Sequence, residues 1–141
     1  MLAPLKELIN DLATTASLIC TVGRDGVVGE LFLDGTLEKI EFSDSWATIE
    51  FGGWHIHVDL NTVTSVKFHQ NQSAGGSVSV FVSLNDKAGG AVMKFYFPHA
   101  TQTHRSYTDK ELALFNAFRT RYENVFNTAR EQPSKTRLNS P

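Results

Sequence analysis

The chain has a single cysteine, Cys20, among 141 residues. An intramolecular disulfide and a cysteine-rich zinc site are therefore excluded. Cys20 lies in Leu18-Ile19-Cys20-Thr21-Val22, a strand-like run with no His, Lys or Arg adjoining it. It is expected to act as a small buried hydrophobe rather than a reactive thiol. Excess positive charge is missing too: the formal net charge is −2, whereas a nucleic-acid-binding surface needs clustered Lys and Arg. No apolar run approaches the roughly 18 residues of a membrane span. Near the start, Lys6, Glu7 and Asp11 interrupt every stretch before it reaches the length of a secretory core. No nucleic-acid or membrane partner is expected, and the expected setting is reducing and cytoplasmic. Glycine-rich phosphate loops opening a helix and Gly-x-Ser-x-Gly elbows are also lacking, so no hydrolase or transferase constellation stands out.

Apolar volume, by contrast, is plentiful. Hydrophobic residues make up 41% of the chain and ten are Phe, enough to fill the core of one domain. Residues 4–16 predict a short helix, with Pro4 at its first position and Leu5, Leu8, Ile9, Leu12 and Ala16 on one face. Turn chemistry then punctuates the chain at Arg24-Asp25-Gly26, Asp34-Gly35, Ser43-Asp44, Gly52-Gly53, Asp59-Leu60-Asn61, Ala74-Gly75-Gly76 and Asn85 to Gly90. Between these lie strands near 17–23, 27–33, 37–42, 46–51, 54–59, 62–70, 77–84 and 91–97. Connections this short force mostly antiparallel pairing, because parallel crossovers need about a dozen residues or more. Thr108-Asp109-Lys110-Glu111 fits a capping box, and Leu112, Phe115, Phe118, Tyr122 and Phe126 follow at helical spacing to about Ala129. The expectation is one α+β domain over 1–131: an antiparallel β-sheet, a short N-terminal helix, and a long C-terminal helix packed on one face. Residues 132–141 are expected to be a disordered tail.

The alternation places His55, His57, Lys67, His69, Phe81, Val92, Lys94 and Tyr96 on the face away from the helix. Aromatic, imidazole and cationic groups together suit a planar, partly apolar, anionic ligand. They suit a dimer interface equally, and periodicity does not separate the two. His55 and His57 stand about 6–7 Å apart by strand rise, a pair that can serve a metal with Asp59 on the same side. Histidines at a plain surface or interface are the competing explanation. His99 and His104 fall in the loop after Pro98.

Several segments resemble the haem-utilisation carriers of the HutX/ChuX and HemS type. They are Trp54-His55-Ile56-His57-Val58, Val63-Thr64-Ser65-Val66, Ser79-Val80-Phe81-Val82, Met93-Lys94-Phe95-Tyr96-Phe97 and Glu111-Leu112-Ala113-Leu114-Phe115-Asn116-Ala117-Phe118. The likeness runs from about residue 46 to 126, the C-terminal half being the most similar. It implies a curved antiparallel sheet, a homodimer, and haem held between sheet and helix or across subunits. It further implies a binding protein for haem trafficking or storage, with haem breakdown in some members. In the family a His after a small-residue turn coordinates iron, and His55 occupies the matching place, with His57 its local substitute. Lys67, Lys94 and Arg105 are then the cations for the propionates, and Phe81 and Tyr96 the porphyrin walls. The alternative is a non-catalytic homodimeric interaction module with the same fold and no haem site. A metal-dependent enzyme on His55, His57 and Asp59 is the third reading.

Overall fold

The computed structural model describes residues 1–15, 18–33, 37–72, 74–75, 78–97 and 107–138. Helix α1 spans Leu2–Thr14 and buries Leu5, Leu8, Ile9 and Leu12 completely. It begins two residues before the expected start, so Pro4 is third in the helix. A residue there has no intrahelical acceptor for an N–H, and proline costs nothing. At the other end Thr14 Oγ1 donates to the Asn10 carbonyl and Thr15 Oγ1 to the Asp11 carbonyl, the hydroxyl back-bonding that accompanies termination. Ala16, placed on the same stripe from sequence, lies outside the described residues, as do Asp34-Gly35 and Gly76.

Strands follow where alternation and turn chemistry put them: β1 (Leu18–Val22), β2 (Gly29–Leu33), β3 (Leu37–Ser43), β4 (Trp46–Phe51), β5 (Trp54–Asp59), β6 (Ser65–Gln72), β7 (Val78–Asn85) and β8 (Ala91–Tyr96). They pair antiparallel throughout but form two sheets rather than one. Five strands run in the order β2-β1-β8-β7-β6, and three in the order β3-β4-β5. Chain direction changes sheet after β5 through a 3₁₀ turn, Leu60–Thr62. Asp59 caps that turn by accepting from the Asn61 N–H.

Helix α2 spans Asp109–Leu138 and continues past the end expected near residue 129, into the stretch read from sequence as a tail. Its start is the expected capping box. The Glu111 N–H donates to Thr108 Oγ1 at 3.2 Å, and the Thr108 N–H donates to Glu111 Oε1 at 2.7 Å. Phe115, Tyr122 and Phe126 are buried. Phe115 meets Phe68 at 6.1 Å and Phe97 at 5.3 Å between ring centres, which seats α2 on the inner face of the five-stranded sheet. Helix α1 packs against β3, the 3₁₀ turn and α2. One core joins both helices to the inner faces of both sheets, drawing Ile49, Phe51 and Val58 from one and Cys20, Val82 and Phe95 from the other. The outward faces of the two sheets therefore point away from a shared interior.

Candidate functional site

Successive strand residues face opposite sides, so the register decides which side chains meet on the outer face. In the five-stranded sheet β1 lies beside β8, which puts residues 70 and more positions apart shoulder to shoulder. One outer row crosses all five strands: Phe32, Ile19, Tyr96, Phe81, His69. The next row is Glu30, Thr21, Lys94, Ser83, Lys67.

The first row is a run of stacked rings. His69 and Phe81 stand 4.3 Å apart at 12° between planes, and Phe81 and Tyr96 stand 4.7 Å apart at 29°. Lys94 Nζ sits 5.4 Å from the centre of the Phe81 ring, a cation–π contact. Mutual cover leaves Phe81 and Ile19 buried although both face away from the core. Ser83 and Asn85 are buried beside them and pair with one another. Asn85 Nδ2 donates to Ser83 Oγ at 3.0 Å, and Ser83 Oγ shares a 2.8 Å hydrogen bond with His69 Nε2. Burial first, then the Lys67 and Lys94 charges, holds the His69 imidazole below its ordinary value of 6.5.

A groove of about 650 Å³ opens over β1 and β8 beside this row, within the usual size of small-ligand sites. Its lining includes Ile19, Thr21, Arg24, Val92, Lys94 and Tyr96. Val92 reaches it from a bulge, where the β7–β8 register shifts between Leu84 and Asn85. The β1–β2 turn walls one end. Gly23 makes that wall at φ +129°, a conformation glycine tolerates. Arg24 there pairs with Asp86 on the β7–β8 turn. The Arg24 bond, joined by the N–H groups of Gly90 and Ala88, holds the Asp86 carboxyl below its ordinary range.

His55 and His57 are elsewhere. Both are exposed on β5, with ring centres 5.0 Å apart, on the outward face of the three-stranded sheet. Their cross-strand neighbours are Glu50 and Thr48, and His57 Nδ1 shares a 2.8 Å hydrogen bond with Thr48 Oγ1. Lys39 and Glu41 form an ion pair on β3 of the same sheet. The single face expected from alternation is thus divided. Lys67, His69, Phe81, Lys94 and Tyr96 belong to one sheet, and His55 and His57 to the other.

Asp59 does not complete a metal set with the histidines. Its carboxylate accepts from Ser45 Oγ at 2.9 Å and from the Asn61 N–H at 3.1 Å. Among the described residues no three His, Cys, Asp or Glu side chains gather at one point. Arg105, His99 and His104 lie outside the described residues. Ile19, Thr21 and Arg24 were missed from sequence, because nothing local announces that the first strand will neighbour the last.

Among the solved structures that share this fold are ChuX, PhuS and ChuS. ChuX matches with a TM-score of 0.71 at 11% identity, over 86% of this chain and 74% of its own. PhuS, a haem-binding protein from Pseudomonas aeruginosa, matches at 0.65 and 14% identity in its haem-loaded form, over 82% of this chain and 32% of its own. ChuS, a haem oxygenase of Escherichia coli, matches at 0.62 and 16% identity, over 82% and 35%. This chain spans about a third of the last two. No curated protein matches it by sequence. The class defined by the fold is that of the ChuX-like α+β proteins. A family model matches residues 6–129, beyond both ends of the segment where the resemblance was seen, so the chain belongs to the family that this model describes, and its fold is the ChuX-like one. Among the described residues no helix is long and apolar enough to cross a membrane.

Proposed function

We propose that this protein binds haem in the cytoplasm and serves haem utilisation as a carrier or store. The observation that carries the reading is the groove on the five-stranded sheet, with a ring-stacked row along its edge and Lys94 beside it. A porphyrin needs apolar walls, cations for its carboxylates and an imidazole for its iron. Tyr96 and Phe81 supply walls, and Lys94 and Lys67 the cations, with Arg105 a further cation from sequence alone. Bound haem would supply an iron centre; the chain's own part is to hold and orient it.

His55 would supply the imidazole that holds the iron in this proposal, with His57 beside it as substitute. The two sheets present their outer faces away from a common core, so His55 and the groove of one chain do not converge. A homodimer resolves this, His55 of one protomer facing the groove of its partner.

A partner-binding module is the second reading, favoured by the exposed Val27, Val28 and Phe32 around the β2 edge. Titrating the purified protein with haem in the Soret region, with His55→Ala alongside, separates the two. A saturable shift of one haem per subunit, lost in the variant, is expected. A stable dimer with no spectral response would replace the haem reading with the module. A shift retained in His55→Ala would move the ligand to another histidine.

A further inference from the structure

The outward face of the three-stranded sheet is also built in rows. Glu41, Thr48 and His57 form one, and Lys39, Glu50 and His55 the next. Trp46 and Asp59 pair across β4 and β5 beside the first of these rows. Three carboxylates thus share the face with one ammonium, and that ammonium is already paired, Lys39 with Glu41. Such a face attracts a cation. Its two exposed imidazoles decide which kind, because imidazole nitrogen suits late first-row metals, whereas magnesium and calcium take oxygen.

The spacing of the rings fits a chelate. A metal about 2.0–2.1 Å from one nitrogen of each ring lies about 3.2 Å from each ring centre. Ring centres 5.0 Å apart then subtend about 100° at that metal, close to the tetrahedral angle. His57 is oriented in advance: Thr48 Oγ1 engages Nδ1 at 2.8 Å and leaves Nε2 for the metal. A ring bound through Nε2 carries its proton on Nδ1, and the threonine oxygen can accept it whichever partner donates beforehand. Among the described residues no third His, Cys, Asp or Glu completes the set, so water fills the remaining positions.

We propose that His55 and His57 form an open two-imidazole site for a late first-row divalent cation, with Thr48 as its positioning residue. The inference goes beyond the haem reading and does not need it. Haem iron on His55 and a metal on the pair exclude one another.

Trp46 reports occupancy, because it is exposed one row from His57 and copper(II) quenches a nearby indole. The full chain, free of haem, is titrated with copper(II), nickel(II) and zinc(II), by tryptophan fluorescence for the first two and by calorimetry for zinc. One ion per chain is expected, with copper the tightest of the three and magnesium without effect. His55→Ala and His57→Ala each remove a ligand from an exposed position, so the fold is kept and copper should bind about a hundredfold more weakly or worse. Thr48→Val should weaken it about tenfold, and Thr48→Ser should restore it. No saturable quenching, copper bound as tightly by the doubly substituted chain, or displacement of copper by equimolar magnesium would each overturn the proposal. The Soret titration, run in metal-free buffer, reads the haem assignment separately. A failed Soret titration beside an intact copper isotherm sinks only that assignment, and the reverse pattern sinks only this one.

Discussion

The Tyr122 phenol on α2 donates a hydrogen bond to the Asp11 carboxylate on α1, across 111 residues of sequence. The ring is buried, and its hydroxyl is held above the ordinary tyrosine range by burial first and by Asp11 second. Arg121 joins the same carboxylate at 2.9 Å and reaches Glu7 at 2.6 Å, but its side chain is exposed. A bond to a charged group from a buried donor outweighs exposed ion pairs. Tyr122→Phe should therefore cost about 2 kcal/mol, and Arg121→Ala about 1 kcal/mol or less. Urea unfolding of the two variants gives the ranking, and equal losses would contradict it.

Phe115 is the anchor by which α2 holds the five-stranded sheet, fully buried between Phe68 and Phe97. Phe115→Ala should destabilise by about 3–5 kcal/mol, the usual cost of removing a buried ring. Loss of most helical signal before the sheet melts would show that α2 detaches as a unit.

The end wall of the groove depends on Gly23. A Cβ built there would sit 2.1 Å from the Val27 carbonyl oxygen, in a backbone conformation that side chains rarely adopt. Gly23→Ala should cost more than about 1 kcal/mol and reshape the β1–β2 turn. Thermal unfolding within error of the parent protein would show that the turn can relax freely.

Cys20 is buried in the core, and desolvation pushes its thiol up to about 12. A thiol that rarely ionises and is not exposed does not attack. A disulfide reagent at neutral pH should leave the native protein unmodified and label it only as it unfolds. Fast labelling under native conditions would contradict the burial.

His69 predicts a pH dependence of stability. Its imidazole binds a proton less readily folded than unfolded, where it returns to about 6.5. The contribution is complete above that value and is lost as pH falls through it toward the lower folded value. The urea midpoint of the parent protein should drop more than that of His69→Gln between about pH 7.5 and about pH 5.5. Parallel curves would remove His69 from the account.

Local signals in the sequence held wherever the physics is local. Thr108 and Glu111 cap α2 as their spacing implies, and Leu5, Leu8, Ile9 and Leu12 form one buried stripe. Trp54, Ile56 and Val58 face inward while His55 and His57 face out, because side-chain parity along a strand is a property of that strand. Sheet membership is not. Parity gave His57 and Phe81 the same outward sense, yet they stand on different sheets, since pairing is settled by contacts far along the chain. Arg24 and Thr21 escaped for the same reason: their chemistry depends on lying beside Asp86 and Lys94, more than 60 residues away.

The adjacency of β1 and β8 has a consequence for the order in which the protein matures. The groove floor is built from residues near 19–30 and 90–96, and its two halves are joined only by the last strand to be added. A nascent chain leaving the ribosome carries the histidines of β5 well before it has a groove. The groove thus arrives at the final closing step, when the long intervening chain must be drawn in and its entropy met. A chain that still lacks β8 has no groove floor, and a molecule that has one is a molecule whose five-stranded sheet is complete.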